Sequence, residues 1–276
     1  MAIEAPVALR LTGRHWHTST LDGAGWADTP YDLDPRETGF VALHLWNVGD
    51  TAGGGPAIPD DFLVDLGLRE TQEESVRIAE RYIRPAIDSS RAAGIPIFHV
   101  EPAHIALKYD SVHYLLEPDD LTPPASDRPR PPEANPGWIK QRAERTHGRG
   151  YDEWDGWQQM RILSSCDAEP GDQVILTGRQ FDRILRRKGI KNLVYTGFAT
   201  NMCILASAAA TQEMLGFGYR IFLIREATLG VEYPETLAAR TVTRLALRYF
   251  ELKVGDSIGF DDYIGACQAV AASHRP

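Results

Sequence analysis

Apolar runs that alternate with helical patterns constrain the fold of this chain more than any other feature. The runs occupy residues 39–45, 95–100, 173–176, 193–196 and 219–224. They lack the in-and-out alternation of a half-exposed strand, so we expect strands that are buried on both faces. Residues 73–93 repeat apolar side chains at steps of three and four, which predicts a helix that Gly94 ends. Strands and helices in alternation predict a mostly parallel sheet with helices on both faces.

Length, charge and cysteine usage narrow the class of protein. The chain has 276 residues, enough for one large domain or two small ones with a sizeable core. A formal net charge of −9 argues against nucleic acid or an anionic membrane as the partner. No apolar run approaches the roughly 20 residues that a membrane-spanning helix needs. Three cysteines, an odd number, fit a reducing compartment better than a disulfide framework, so we expect a cytoplasmic protein.

Two segments lie outside the alternating pattern. Residues 1–37 show no sustained period and predict an extended N-terminal arm ahead of one domain over residues 38–276. Residues 114–150 are rich in proline and then in charge, which predicts an insertion rather than a plain connection. Aromatic residues in or just after it, such as Tyr151 and Trp157, could cover a binding pocket or a subunit contact. The composition does not separate these two roles.

Residues 194–203 combine a strand, a tight turn and a thiol. The strand reaches Gly197, a polar turn follows, and an Ala-rich helical pattern begins at Cys203. The positive end of a helix dipole favours the thiolate, which is the reactive form of cysteine. The segment therefore predicts that Cys203 is a nucleophile. The alternative is a small buried side chain that packs the helix against the sheet.

Polar residues end or directly follow several of the predicted strands. They are His44, His99, Thr177 and Thr200. In open α/β sheets ligands bind beyond the carboxyl ends of the strands. We therefore expect these side chains to gather at the edge of the sheet that carries Cys203.

The motif GFATNMC at residues 197–203 resembles the nucleophile turn of the isochorismatase-like cysteine hydrolases, which include nicotinamidases and N-carbamoylsarcosine amidases. The similarity covers roughly residues 38–105 and 170–263. It implies a three-layer α/β/α fold with a mostly parallel sheet and assigns the nucleophile to Cys203. It also implies a cis peptide between Phe198 and Ala199, with the backbone N–H groups of Ala199 and Cys203 as the oxyanion hole.

Two other roles of the family fall on unusual residues in this chain. The family uses an Asp base at the end of the first strand and a Lys just after the third. These positions hold His44, or Trp46 if the alignment shifts, and Arg179. A neutral imidazole can accept the thiol proton and return it to a leaving group, so His44 is the predicted base. Arg179 cannot move a proton at neutral pH, but its planar fork could clamp a substrate oxygen.

Further substrate-binding candidates are Asn47, His99 and Thr200, near the predicted mouth of the site. Turn formation or a hydrogen bond in the core would explain each of them equally well. A metal site at His44 and His99 is disfavoured because no His-x-His or Asp-x-His spacing accompanies them. The chain also lacks a glycine-rich phosphate loop, so we predict no metal and no cofactor.

Together these residues predict a homo-oligomeric cysteine hydrolase that acts on a small molecule. It would cleave a C–N bond of an amide, ureide or imide through a thioester intermediate. One alternative is a non-catalytic protein of the same fold that binds a ligand or assembles, because the usual Asp and Lys are missing. Another is a family member with altered chemistry, in which His44 and Arg179 take over those two roles.

Overall fold

The computed structural model describes residues 7–19, 21, 23–60, 68–122, 136–148 and 150–274. Within them eight strands form one sheet: β1 (Leu9–His17), β2 (Gly25–Leu33), β3 (Thr38–Leu43), β4 (Ile97–Val100), β5 (Gln173–Ile175), β6 (Asn192–Phe198), β7 (Arg220–Leu229) and β8 (Asp256–Ile258). Their order across the sheet is β2-β1-β8-β7-β6-β3-β4-β5. Every neighbouring pair from β8 to β5 is parallel, whereas β1 runs antiparallel to β2 and β8. The predicted mostly parallel sheet is confirmed.

Helices cover both faces of this sheet. The described helices are α1 (Arg69–Ile78), α2 (Arg84–Ala92), α3 (Ala103–Ala106), α4 (Pro136–His147), α5 (Gly156–Gln159), α6 (Gly178–Lys188), α7 (Cys203–Ala206), α8 (Thr211–Gly216), α9 (Thr241–Lys253) and α10 (Phe260–Ser273). Alternate residues of β3 enter two separate cores: Phe40 packs with α2 and α10, and Val41 packs with α6 and α9. The three layers follow from this alternation. None of these helices is long and apolar enough to cross a bilayer.

The helix predicted over residues 73–93 is confirmed, with one irregularity. A π-helical turn at Ala79–Ile83 joins α1 to α2. Pro85 lies in the first turn of α2 and has no backbone N–H to donate, which fits a break in the regular hydrogen-bond pattern there.

The Ala-rich helix expected after Cys203 is much shorter than its sequence suggests. α7 ends at Ala206, and α8 begins only at Thr211. The hydroxyl of Ser207 donates to the Cys203 carbonyl (2.8 Å), and the hydroxyl of Thr211 donates to the Ile204 carbonyl (2.6 Å). The Ser207 N–H still closes a regular turn on the Cys203 carbonyl (3.2 Å), but the Thr211 hydroxyl takes the Ile204 carbonyl that the next turn would use. Ala209 also has a φ of +56°, outside the helical region, so α7 ends after one turn.

The N-terminal segment is extended and lies at one edge of the sheet. β1 and β2 form an antiparallel hairpin, and β1 meets β8 through the pair Arg14–Ser257. The Arg14 guanidinium lies 2.8 Å from the buried carboxylate of Glu251. The Tyr31 hydroxyl donates to Asp256 over 2.6 Å. Polar contacts as well as backbone pairing therefore hold this hairpin against the rest of the chain.

The strand order places a crossover point between β3 and β6. From β3 the chain continues to β4 and β5 on one side, and it then returns to β6, β7 and β8 on the other. Adjacent loops leave β3 and β6 in opposite directions, which opens a crevice at their carboxyl ends. In register, Leu43 lies opposite Gly197. The residues that follow these two positions are therefore neighbours in space.

Candidate active site

A cavity of about 230 Å³ lies beyond the carboxyl ends of β3, β6 and β7. The predicted site residues His44, Ala199 and Cys203 line it together. Thr71 and Gln72 of α1 form another part of its wall. The structure thus brings the thiol, the imidazole and the cis-peptide turn to one cavity at the crossover point.

The turn that carries Cys203 has a specific backbone conformation. The peptide between Phe198 and Ala199 is cis, as the resemblance implied. Gly197 has a φ of +114°, and a Cβ there would lie 1.9 Å from the Leu43 carbonyl oxygen, so a glycine is required. The Ala199 carbonyl accepts the N–H groups of Met202 and Ile204 (3.0 and 3.1 Å), which coils the chain directly into α7. Cys203 is the first residue of that helix and is partly buried.

Thr200 fixes this turn to β7 and does not line the cavity. Its N–H donates to the Leu229 carbonyl (3.0 Å), and its hydroxyl lies 2.7 Å from that of Thr228. Beside it, the side-chain oxygen of Asn201 accepts the N–H of Val231 at 2.9 Å. These contacts account for the complete burial of Thr200.

His44 sits directly after β3 in an unusual backbone conformation. Its φ is +52°, and its N–H donates to the Val100 carbonyl over 3.0 Å. The imidazole stacks on the Trp46 ring, with the centroids 5.5 Å apart. Desolvation, with a further contribution from His104, lowers the pKa of His44 to about 4. The imidazole is therefore neutral at neutral pH, the form that can accept a proton.

Glu101 is a buried carboxyl group beside the site that the sequence analysis missed. It follows β4, and its two oxygens accept the Leu45 N–H (2.9 Å) and the Trp46 indole N–H (3.1 Å). Burial raises the pKa of Glu101 to about 8, although both hydrogen bonds act in the opposite direction. Through these two hydrogen bonds Glu101 holds the backbone of Leu45 and the indole of Trp46, which directly follow His44. Its position after a strand end was the one available sequence signal.

Asn47 joins the turn after β3 to the chain that follows the insertion. Its N–H donates to the Arg161 carbonyl (3.1 Å), and its side-chain oxygen accepts the Arg161 N–H (2.8 Å). The Leu163 N–H also donates to the Leu45 carbonyl over 2.7 Å. Asn47 is buried in this pairing and does not line the cavity.

His99 and Arg179 lie away from the cavity wall. His99 is fully buried, and its Nε2 lies 3.2 Å from the carboxylate of Asp172. Burial opposes ionisation of Asp172, but hydrogen bonds from His99 and Arg91 lower its pKa to about 2. Arg179 donates to the Asp119 carbonyl and lies 3.5 Å from the Asp120 carboxylate. Each of these side chains has a structural partner of its own.

Part of the predicted insertion lies against the cavity. His147 ends α4, Tyr151 begins the short helical turn Tyr151–Glu153, and both residues line the cavity. Their rings stack with centroids 3.9 Å apart. The indole N–H of Trp157 donates to the Tyr151 carbonyl over 2.7 Å, which fixes the turn. The sequence had singled out Tyr151 but gave no signal for His147.

The other two cysteines differ from Cys203 in their surroundings. Burial raises the pKa of Cys166 to about 11 and that of Cys267 to about 12. Both thiols are therefore poor nucleophiles at neutral pH. Among the described residues, no group of three or more His, Cys, Asp or Glu side chains could hold a metal ion.

Comparisons with known proteins identify the family. A family model for the isochorismatase domain matches residues 172–247. Ureidoacrylate amidohydrolase RutB of Agrobacterium fabrum is 25% identical over 229 residues, which cover 78% of this chain and 86% of that protein. RutB of Azorhizobium caulinodans is 31% identical over 228 residues, which cover 77% of this chain and 86% of that protein. The chain belongs to the isochorismatase-like cysteine hydrolase family.

A solved structure supports the same fold for this isochorismatase-like protein. A cysteine hydrolase from Pseudomonas syringae pv. phaseolicola superposes with a TM-score of 0.52 at 13% identity, covering 87% of this chain and 96% of that one. At this identity the match concerns the fold alone. The three-layer α/β/α architecture implied by the resemblance is thereby confirmed.

Proposed function

We propose that this isochorismatase-like protein hydrolyses a C–N bond of a small amide, ureide or imide through a thioester on Cys203. The observation that carries the proposal is that Cys203, the neutral imidazole of His44 and the turn at Ala199 line the same cavity. The relatives named ureidoacrylate amidohydrolase support C–N hydrolysis as the reaction.

Acylation begins with the thiol of Cys203. His44 accepts the thiol proton while the sulfur attacks the carbonyl carbon of the substrate. The carbonyl oxygen becomes an oxyanion, which accepts hydrogen bonds from the backbone N–H groups of Ala199 and Cys203. The tetrahedral intermediate then collapses, the C–N bond breaks, and His44 returns the proton to the leaving nitrogen.

Deacylation uses the same groups with water as the nucleophile. His44 accepts a proton from a water molecule as its oxygen attacks the thioester carbonyl. The C–S bond breaks, the carboxylic acid leaves, and the thiolate of Cys203 recovers the proton from His44. The imidazolium is disfavoured in this desolvated wall, but it forms beside a thiolate or an oxyanion, whose negative charge stabilises it. Glu101 acts as a positioning residue, because it fixes Leu45 and Trp46 on the chain next to His44.

Ammonia release from a panel of neutral and anionic primary amides and ureides tests the proposal. We expect Cys203→Ala to lower kcat/KM on any accepted substrate by at least about a thousandfold, because covalent catalysis is lost. Cys267→Ala is the matched control and should keep most of the activity, since Cys267 is buried in the core. Comparable activity in Cys203→Ala would overturn the proposal, as would a complete lack of turnover across the panel.

The proposals about the cellular location and the oligomeric state of the protein depend on its sequence alone. Its cysteine usage supports a cytoplasmic location, and a subunit contact is one of the two roles that fit the aromatic residues near the insertion. Light scattering of the purified chain would decide the second point.

A further inference from the structure

Several residues that line the cavity carry a buried polar atom with no hydrogen-bond partner among the described residues. These atoms are His44 Nδ1, Thr71 Oγ1, Gln72 Oε1 and His147 Nδ1. Buried polar atoms in native proteins nearly always have a partner, because an unpaired one loses its hydration without compensation. Their concentration around one cavity points to a polar ligand that completes these bonds.

Gln72 has the most sharply defined requirement of the four. It lies in the first turn of α1 with only 5% of its surface exposed. Its side-chain nitrogen lies 3.5 Å from the Val48 carbonyl oxygen, which can only accept a hydrogen bond. The amide is thereby oriented, and Oε1 is left as an acceptor. A ligand that satisfies Gln72 must therefore donate an N–H or O–H group.

Thr71 adds a second polar atom beside Gln72. It is 6% exposed, and its hydroxyl oxygen has no partner within the described part of the chain. The adjacent Ser75 differs, because its hydroxyl already donates to the Thr71 carbonyl over 3.0 Å. Two neighbouring side-chain oxygens near the start of α1 can therefore accept hydrogen bonds from the N–H groups of a ligand.

Most of the remaining wall is apolar. It includes Val48, Val76, Leu163, Phe198, Leu229 and Val231. None of the described residues that line the cavity is Arg, Lys, Asp or Glu. An anionic group placed here would lose its hydration with no arginine or lysine among these residues to pair with it.

The geometry points to Gln72, with Thr71, as a specificity subsite that accepts the N–H donors of the scissile amide or ureide nitrogen. The acyl part of the substrate is uncharged and apolar. This inference rests on the proposed function and narrows it to neutral substrates. A carboxylate-bearing molecule such as ureidoacrylate, for which the relatives are named, fits this wall poorly.

Ligand binding by the full chain carrying Cys203→Ala tests the subsite without turnover. The probes are benzamide, N,N-dimethylbenzamide, which has no N–H donor, and 4-carbamoylbenzoate, which adds a carboxylate. In NMR titrations we expect benzamide to bind at least about tenfold more tightly than either of the others. Adding Gln72→Met, which removes the acceptor, should abolish the difference between benzamide and its dimethyl derivative. Gln268→Met on the exposed face of α10 is the matched control and should change nothing.

Three results would overturn the subsite. They are equal affinity for benzamide and N,N-dimethylbenzamide, tighter binding of 4-carbamoylbenzoate than of benzamide, and unchanged selectivity between the two neutral probes in Gln72→Met. A lack of measurable benzamide binding would overturn it as well. If Gln72→Met does not fold, the three probes on the Cys203→Ala protein still decide. Selective binding of benzamide in a protein that turns over no amide would refute the proposed function and leave the subsite standing.

Discussion

At the scale of single residues, two groups far apart in sequence share one cavity. Leu43 of β3 lies opposite Gly197 of β6, so the residues that follow each strand emerge side by side. His44 comes directly after β3, and Cys203 comes after the short turn that follows β6. The sheet, rather than any local motif, therefore sets the relation between the imidazole and the thiol.

The pH dependence of acylation tests the role of His44. Because desolvation lowers the pKa of His44 to about 4, the neutral base persists as the pH falls from 8 to about 5. We therefore expect kcat/KM to fall on the acid side with an apparent pKa near 4 rather than near 6.5. His44→Asn should lower kcat/KM by about a hundredfold or more at pH 7.5. An acid limb between pH 6 and 7 in the folded enzyme would contradict the assignment.

The buried carboxyl of Glu101 predicts a pH-dependent stability. Its pKa of about 8 in the folded state lies above the ordinary value of 4.5. Between these values the folded protein holds a proton that the unfolded chain has released. The free energy of unfolding therefore decreases as the pH rises from 4.5 to 8, by up to about 1.4 kcal/mol per pH unit, and levels off above pH 8.

Urea unfolding of Glu101→Gln at several pH values checks this prediction. The variant cannot ionise, so the decrease in stability between pH 5 and 8 should become shallower than in the original protein. Glu235→Gln replaces an exposed glutamate and should leave the slope unchanged. Parallel stability curves for Glu101→Gln and the original protein would contradict the raised pKa.

The sequence predicted some site residues far better than others. Cys203 carries a motif and a local geometry, and His44 follows an apolar strand, so both could be found from the chain alone. Gln72 and His147 gave no such signal, because their importance comes from contacts between α1, the insertion and the sheet. Glu101 shared the strand-end position of His44, but its burial and its two partners are visible only in the fold.

At the scale of elements, the turn between β6 and α7 determines where the thiol lies. Gly197→Ala would place a methyl group 1.9 Å from the Leu43 carbonyl oxygen at a φ of +114°. We expect this variant to lose at least about 2 kcal/mol of unfolding free energy and most of its activity, because β6 must shift away from β3.

A second glycine provides the control for this variant. Gly265 lies inside α10, and an added Cβ there would have no neighbour within 4 Å. Gly265→Ala should keep full activity and gain up to about 1 kcal/mol, since alanine favours a helix over glycine. Thermal unfolding and ammonia release measure both variants. Equal stabilities for the two would refute the close approach at Gly197.

The short length of α7 shows where sequence patterns fail at this scale. Alanine runs favour helices, and that preference predicted one helix from Cys203 to Ala210. The hydroxyls of Ser207 and Thr211 instead bond to carbonyls of the first turn. Local hydrogen bonds of this kind compete with helix propensity, and composition alone does not reveal which of them wins.

At the scale of the whole molecule, the N-terminal hairpin is held partly by one buried charge. The Arg14 guanidinium lies 2.8 Å from Glu251, whose side chain is fully buried. Arg14→Met leaves that carboxylate without its cation, so we expect a loss of about 2 kcal/mol or more in unfolding free energy. Arg10→Met is the control on the same strand, because Arg10 and its partner Asp32 are both largely exposed. Urea unfolding that shows the same stability for both variants would contradict the role of Arg14.

The sequence predicted the centre of the sheet better than its edge. β3, β4, β6 and β7 are buried along most of their length and consist mainly of apolar residues, and such runs are distinctive. β2 alternates exposed and partly exposed residues, and much of it is polar, so nothing in residues 25–33 marks a strand of the main sheet. Its place depends on pairing with β1, which lies next to β8 from the opposite end of the chain.

Intact-protein mass spectrometry of a reaction stopped in acid tests the central claim most directly. During turnover of an accepted amide, we predict a covalent adduct whose mass equals the acyl group, located on Cys203 by peptide mapping. The adduct should be absent from Cys203→Ala and present in Cys267→Ala. If Cys203→Ala turned the amide over steadily without an adduct, or if the acyl group lay on a different residue, the account would be contradicted.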